Sequence, residues 1–528
     1  MKVPLMGRTG MERHTRHQMS SGLLPRAIRG LHSRFSCGWI LGCWMPGSGS
    51  PCRESRYNAE WYSYRNEIWQ IWVGAAFIGE NAAPCSPQSR RRQAPVSLRD
   101  PAVGLFMKVS VIGCGYVGLV TGLGFAGLGH EIHLTDIDQG KLDALARAVV
   151  PISEPGLDDL LRDHRDRVIL HDTVNDAVQA SDLSFLCVGT PVSPGGAMDL
   201  SQVASAATDV GKAIASKETL HAVIVKSTVL PGTTERIVIP LLEKESRRTG
   251  EKAFDVAVNP EFLQEGNAVH DFFHPDRIVI GSREGAAREM LNELFRPLEA
   301  RCLHTDWRTA EMIKFVNNAF LATKISFSNE VGRICKQAGV DPFPVFLGIG
   351  MDRRINPAFF RCGLGFGGSC LPKDLRALIA WAKDLGVDPV ILKGVMGRNE
   401  AQPAAMVDLL KEHVGDLAGK KIGILGLSFK PGTDDIRESR AIPVIRQVLS
   451  AGASVLAYDP RAMENFRRLF PQVRYADAAA DVLDSDAVLI ITEWPEFGEL
   501  DYSGRTVIDG RGVGKARSTA RIYEGVCW

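Results

Sequence analysis

Three groups of residues in this 528-residue chain have types and spacings that could do chemistry. The first is Gly365-Phe366-Gly367-Gly368-Ser369-Cys370-Leu371-Pro372-Lys373-Asp374, where a cysteine follows flexible glycines and stands just before a proline suited to a helix start. The partial positive charge of a helix N-terminus favours thiolate and Lys373 adds to it, which makes Cys370 a nucleophile candidate. Asp374 follows one helical turn later and can reach the same site. Alone, a cysteine beside glycines is more often a small packed side chain. The second group is Lys314 and Asn318, whose i, i+4 spacing puts an ammonium and an amide on one helix face. Alone, that pair reads as a solvated lysine beside a surface amide. The third is Gly113-Cys114-Gly115-Tyr116-Val117-Gly118, a GxGxxG directly after an apolar run. Its glycines permit a tight turn and close approach to a pyrophosphate, with a helix N-terminus facing the negative charge. Asp136, at the end of the next apolar run, stands where a carboxylate accepts hydrogen bonds from ribose hydroxyls and repels a 2'-phosphate, favouring NAD over NADP.

The elements that must position these groups are legible as alternation. Short β-branched runs at Val109 to Ile112, Ile132 to Thr135, Leu183 to Val188, Ala222 to Lys226, Val256 to Val258 and Ile278 to Gly281 are separated by helical patterns, which predicts parallel strands with crossover helices. Between about Thr305 and Ala338, Met312, Phe315, Val316, Ala319, Phe320, Thr323 and Phe327 recur at three- and four-residue steps, one long central helix. A second series follows, with strands at Lys421 to Gly426, Val455 to Tyr458 and Ala487 to Ile491. The expected fold is α/β, with two Rossmann-like doubly wound sheet domains joined by a central helical domain. The expected boundaries are 107–304, 305–400 and 401–528.

Residues 1–106 read differently, with five of the nine tryptophans, few acids and no sustained period, and are expected to be an unstructured extension before a start at Met107. Composition is that of a globular chain, with 45% hydrophobic and 23% charged residues. Lys and Arg total 62 against 61 Asp and Glu, so no global field recruits nucleic acid or an anionic membrane. No apolar run approaches the roughly 18 to 20 residues needed to cross a bilayer. The 11 cysteines lack CxxC or zinc spacing, which points to reduced thiols, no metal site and a cytoplasmic location.

Taken together, these segments resemble the UDP-glucose/GDP-mannose dehydrogenase family. The resemblance also rests on Glu154-Pro155-Gly156-Leu157, Lys226-Ser227-Thr228-Val229-Leu230-Pro231-Gly232-Thr233, Asn259-Pro260-Glu261-Phe262-Leu263-Gln264-Glu265-Gly266 and Ser428-Phe429-Lys430-Pro431-Gly432-Thr433-Asp434-Asp435-Ile436-Arg437-Glu438-Ser439. It implies a four-electron oxidation of a nucleotide sugar's C6 alcohol to a carboxylate with two NAD in succession. By similarity, Cys370 forms the covalent adduct and Lys314 and Asn318 stabilise the oxyanion. Asp374 with Thr228 positions water, and Glu261 assists acid/base steps. The family pattern implies NAD contacts at Gly113, Gly115, Gly118, Asp136, Lys141, Thr190, Thr228 and Glu265. It implies substrate contacts at Phe262, Leu263, Lys314, Asn318, Phe359, Gly367, Lys430 and Arg437. Arg354 resembles an arginine presented to a neighbouring subunit's site, so a homodimer or higher homo-oligomer is expected.

Ile490-Ile491-Thr492-Glu493-Trp494-Pro495-Glu496-Phe497 is more similar to the UDP-glucose branch, with GDP-mannose and UDP-N-acetylhexosamines as alternatives. A two-electron hydroxyacid dehydrogenase also pairs a Rossmann domain with a helix-borne Lys and Asn, but Cys370 and the second sheet series speak against it. A non-catalytic NAD-responsive binder is the third reading.

Overall fold

The computed structural model describes residues 106–247 and 253–528. The expectation for residues 1–106 therefore lies, Phe106 apart, outside the described residues. Among the described residues, fourteen strands form two sheets. The first holds β1 (Lys108–Ile112), β2 (Glu131–Thr135), β3 (Val168–Leu170), β4 (Leu183–Leu186), β5 (His221–Val225), β6 (Phe254–Val258), β7 (Ile278–Ser282) and β8 (Cys302–Thr305), in the order β3-β2-β1-β4-β5-β6-β7-β8. The second holds β9 (Lys421–Leu425), β10 (Ser454–Tyr458), β11 (Arg474–Tyr475), β12 (Ala487–Ile490), β13 (Thr506–Asp509) and β14 (Ile522–Gly525), in the order β11-β10-β9-β12-β13-β14. Both are doubly wound α/β sheets as the alternation predicts. Central strands such as β4 and β5 are buried along their whole length, which is why they read as continuous apolar runs.

The first sheet is not wholly parallel. β6 and β7 pair antiparallel, Ala257 with Ser282 and Val258 with Gly281, contrary to the expected crossover between them. The physical reason is the connection: only a short helix, α1 (Ala268–Phe273), lies between these strands, and the preceding loop carries Glu261 to Gly266 past the strand ends. β3, β8, β11, β13 and β14 were not anticipated. β3 and β11 span three and two residues, too few to show a period.

In each sheet the chain reverses its winding beside the first strand, between β1 and β4 and between β9 and β12. A crevice opens there at the carboxyl ends of the strands. Between the sheets in sequence runs α2 (Trp307–Gln337), capped by Asp306, whose carboxylate accepts from Thr309 N at 3.0 Å. Its apolar residues divide between two faces. Phe315 and Ala319 are buried, whereas Val316, Phe320, Phe327 and Ile334 are exposed. Two more helices, α3 (Leu371–Asp384) and α4 (Val390–Val414), pack against α2. Among the described residues, no helix is long and apolar enough to cross a membrane.

Glu311 locks α2 to the first sheet domain. Its buried carboxylate accepts from Gly232 N at 2.5 Å, Thr234 N at 2.9 Å and Thr234 Oγ1 at 2.7 Å, so the loop carrying Thr228 is registered against the helix carrying Lys314. Removing the acceptor leaves buried donors unpaired. Glu311→Ala is expected to lower stability by about 2 to 4 kcal/mol, measured as a lower denaturant midpoint; an unchanged midpoint would show that the contact contributes nothing.

Candidate active site

β1 ends at Ile112 and the chain turns through Gly113 into a helix that begins at Tyr116. Gly113 has φ +103°, and a Cβ there would lie 2.8 Å from Cys187 O, so only glycine fits. Nothing stands within 4 Å of where a Cβ of Gly115 would be, which leaves that backbone open to the cleft. Asp136, just past β2, accepts from Cys114 N at 2.6 Å and pairs with Lys141 Nζ at 3.1 Å. Asp136 thus braces the glycine turn and gathers Lys141 beside it. Open glycine backbone, a helix start and a strand-end carboxylate fit a dinucleotide.

The cleft above this turn has a volume of about 1010 Å³. Gly115, Thr190, Thr228, Glu261, Leu263, Glu265, Cys370 and Arg437 all line it. Gly113 lies in the turn beneath and Gly118 in the first turns of the helix, packed against Gly113 O. Lys314, Asn318 and Asp374 form a buried wall directly behind Cys370. Lys314 Nζ is 2.7 Å from Glu261 Oε1, and Glu261 Oε2 accepts from Leu263 N at 2.7 Å. Asn318 Nδ2 donates to Asp374 Oδ2 at 2.7 Å, and Lys373 Nζ lies 2.6 Å from Asp374 Oδ1. Lys314 and Asn318 are therefore neither solvated nor on the surface; both are inward-facing and charge-paired or hydrogen-bonded.

Cys370 is the N-cap residue of α3, with Pro372 in the first turn as its spacing predicts. Its thiol does not behave as a helix start alone suggests. Cys370 is exposed at the cleft, yet desolvation of its sulfur by the surrounding protein raises its pKa above the ordinary thiol range, with further upward pushes from Glu261 and Asp374 that Lys314 and the Ser369 hydroxyl only partly offset. Lys373, expected to support a thiolate, is committed to Asp374 instead. The resting group is a thiol. Burial works against Lys314 too, but Glu261, with Cys370 and Asp374, outweighs it and holds the ammonium above the usual lysine range. For Glu261 burial opposes the charge, and Lys314 with the Leu263 N–H overcomes it, keeping the carboxyl below its usual range.

Residues from the second sheet domain close the cleft. A Cβ on Gly367 would collide with Glu438 O, so glycine lets the Cys370 segment pass against that domain. Glu265 accepts from Thr433 Oγ1 at 2.9 Å. Lys430 is half-buried near Gly266, and its ammonium feels Glu265 and Cys370. Arg437 is held by Asp435. Phe262 stands elsewhere than expected for a wall of the main cleft, facing a second cavity with Arg277 stacked 3.8 Å over its ring. Arg354 is exposed and pairs with Asp352, and neither it nor Phe359 lines the cleft.

Three contacts escaped sequence reasoning. Arg376 on α3 forks onto Glu438 at 2.7 and 3.1 Å. Glu154 accepts from the Tyr116 hydroxyl and from Gly266 N and Ala268 N, tying the glycine turn to the loop that bears Leu263 and Glu265. Lys226 donates to Asn259 within the core. Glu154, Lys226 and Glu438 all stood in motif segments, the only signal that could have singled them out.

Models of the UDP-glucose/GDP-mannose dehydrogenase family match the chain between residues 107 and 516, the NAD binding domain at residues 107–299, the central domain at 308–401 and the UDP binding domain at 423–516. This chain belongs to the UDP-glucose/GDP-mannose dehydrogenase family. It is an NAD-dependent oxidoreductase with a nucleotide-binding second sheet. The UDP-glucose 6-dehydrogenase AglM of Haloferax volcanii is 46% identical over 418 residues, 77% of this chain and 97% of that protein. A UDP-glucose dehydrogenase structure from Pyrobaculum islandicum shares 44% identity with a TM-score of 0.79, covering 81% of this chain and 99% of that one. A UDP-D-ManNAc dehydrogenase structure from Pyrococcus horikoshii shares 29% identity with a TM-score of 0.70, covering 79% and 98%.

The electrostatics of Cys370 predict that Glu261→Gln lowers its pKa, because one carboxylate disappears and Lys314 is freed to face the sulfur. Alkylation by iodoacetamide at pH 7 is expected to be slow in the parent enzyme, to accelerate as pH rises through the thiol's raised pKa, and to be faster in the variant at pH 7. Equal rates for the two proteins would contradict this assignment of charges.

Proposed function

We propose that this enzyme oxidises the C6 alcohol of UDP-glucose to the carboxylate of UDP-glucuronate, in two oxidations at one site. The observation that carries the reading is the wall behind Cys370: a thiol exposed on the cleft, backed by Lys314 with Glu261 and Asn318 with Asp374. An alcohol dehydrogenase that stops at the aldehyde needs only a base and a hydride acceptor. Continuing to the acid requires that the aldehyde become a tetrahedral centre that still carries a hydride, and a thiol adding to the carbonyl makes it.

NAD, when bound, accepts the hydride in each oxidation. Gly113, Gly115 and Gly118 with the helix N-terminus would hold its pyrophosphate, and Asp136 with Lys141 its adenosine ribose, with Thr190, Thr228 and Glu265 along the cleft. Lys430 and Arg437 suit the substrate diphosphate, and Leu263 and Gly367 shape the sugar end. Lys314 has three N–H donors and gives one to Glu261, and Asn318 gives one of its two to Asp374. Each retains a donor for the oxygen of the substrate as charge develops on it, a contribution of about 3 kcal/mol where such donors are preorganised. Cys370 adds to the aldehyde as thiolate, its proton passing to the wall of bases behind it. The thioester left after the second oxidation is cleaved by water positioned by Asp374 and Thr228, with Glu261 taking a proton.

UDP-glucose is favoured over other nucleotide sugars because the relatives at 44–46% identity act on it, whereas the UDP-D-ManNAc dehydrogenase is 29% identical. The division of labour follows the expected boundaries, with NAD on 107–304, dimerisation on 305–400 and nucleotide sugar on 401–528. A homodimer through α2 is supported by its exposed stripe of Val316, Phe320, Phe327 and Ile334, with the exposed Arg354 serving a neighbouring site. A cytoplasmic location goes with a reaction that needs Cys370 reduced.

The test is a nucleotide-sugar panel read by NADH release. UDP-glucose is expected to give two NADH per molecule consumed, and Cys370→Ser to lose acid formation. A ratio of one in the parent enzyme would reject the thiol-dependent scheme, and binding without turnover of any sugar would make the chain a binder.

A further inference from the structure

A second cavity, of about 260 Å³, reaches the active site from the opposite side of the loop after β6. Lys226, Glu261 and Leu263 line both this cavity and the main cleft. Lys226 follows β5 directly and is 6% exposed. Its ammonium donates to Asn259 Oδ1 at 2.8 Å and lies 5.8 and 5.9 Å from the rings of Phe185 and Phe295. Asn259 in turn donates to Val279 O at 2.9 Å, which fixes the amide with its oxygen toward the lysine. No step of the chemistry above uses this cation. At its other end the cavity opens among His270, His274 and Asp276, all exposed to solvent.

We infer that Lys226 relays protons from Glu261 into the second cavity during turnover, giving them an exit that avoids the cleft filled by nucleotide sugar and NAD. The inference rests on the two-oxidation reading of the site. That reaction converts RCH₂OH, two NAD⁺ and water to RCOO⁻, two NADH and three protons: one from the alcohol hydroxyl, one from the hydroxyl of the thiohemiacetal and one from thioester hydrolysis. In hydrolysis the O–H bond of water breaks as its oxygen bonds the acyl carbon and the C–S bond opens. The departing thiolate is reprotonated and the net proton rests on Glu261. The neutral amine of Lys226 takes that proton, and the ammonium passes it to water in the second cavity, so no electrons move in the relay.

Three titratable groups face Lys226: Cys187 at the end of β4, Glu261 after β6 and Lys314 on α2. Burial pulls the ammonium down to about 8, with Cys187 and Glu261 pulling up and Lys314 pulling down. A lysine so placed exchanges its proton within the working pH range, as a solvated lysine does not. Sign follows directly: the relay needs the neutral amine, so turnover is gained as pH rises through this value and lost below it.

The experiment is kcat against pH for UDP-glucose oxidation, with NADH counted per sugar, in the parent enzyme, Lys226→Met and Lys226→Ala. The parent is expected to lose about tenfold in kcat per pH unit below the Lys226 pKa, as a single-proton dependence requires. Lys226→Met is expected to be at least tenfold slower and to lack that limb, with NADH per sugar still two. Methylamine is expected to restore kcat in Lys226→Ala. A parent profile without the limb overturns the relay with no variant needed, as does a folded Lys226→Met that keeps the parent's rate and profile. A ratio other than two in the parent instead removes the reading of the site on which the relay rests.

Discussion

Lys314 and Glu261 are two full charges 2.7 Å apart with 5% and 7% of their side chains exposed. Removing such charges from water costs several kcal/mol per ion, recovered only when partners and geometry are in place, and breaking a buried pair by removing one partner costs about 3 to 5 kcal/mol. The pair therefore constrains everything around it. Glu261 is fixed by its own bond to Leu263 N, Lys314 by the register of α2, and that register by Glu311 gripping the loop after β5. The same pair sets the state of Cys370. Desolvation first, and then the Glu261 carboxylate, raise the thiol's pKa, and the adjacent ammonium only partly offsets them. A cysteine held as thiol resists stray oxidation and alkylation, since reactivity follows thiolate character.

The two sheets repeat one design. Each reverses its winding beside its first strand, and in each an aspartate past the second strand braces the turn at the end of the first. Asp136 accepts from Cys114 N, and Asp459 accepts from Leu427 N at 2.7 Å and Ser428 N at 3.0 Å. Beyond the turn the two sheets part ways. After Gly113 the chain enters a helix with open backbone, whereas after Gly426 it runs on through Ser428 to Lys430 with no helix. Glu265 with Thr433 and Arg376 with Glu438 then join the domains across the cleft, whose walls do not belong to one sheet.

Much of this was legible in the order of residues. Glycines with an acid at the next strand end, a cysteine before a helix-start proline and an i, i+4 Lys and Asn are local patterns, and local patterns survive in sequence. Contact between distant segments was not legible. Nothing in spacing says that Lys373 turns to Asp374 rather than to Cys370, that Glu261 is the partner of Lys314, or that Phe262 faces a second cavity. The direction of β7 was hidden for a similar reason: an apolar run has the same composition whichever way the chain traverses it. On α2 the periodicity was real but double-faced, and only packing shows that Phe315 and Ala319 turn inward while Val316 and Phe320 stay outside. The thiol's raised pKa is the sharpest case, since a helix-terminal position argues one way and desolvation of the sulfur beside carboxylates decides the other.

The most direct measurement is mass spectrometry of the Cys370 peptide from enzyme quenched in acid during turnover with UDP-glucose and NAD, using Glu261→Gln to slow loss of the acyl group. A nucleotide-sugar acyl adduct on that sulfur, absent without NAD, is the result a covalent role for Cys370 predicts. Acid product formed at full rate with an unmodified Cys370 at every quench time would contradict it.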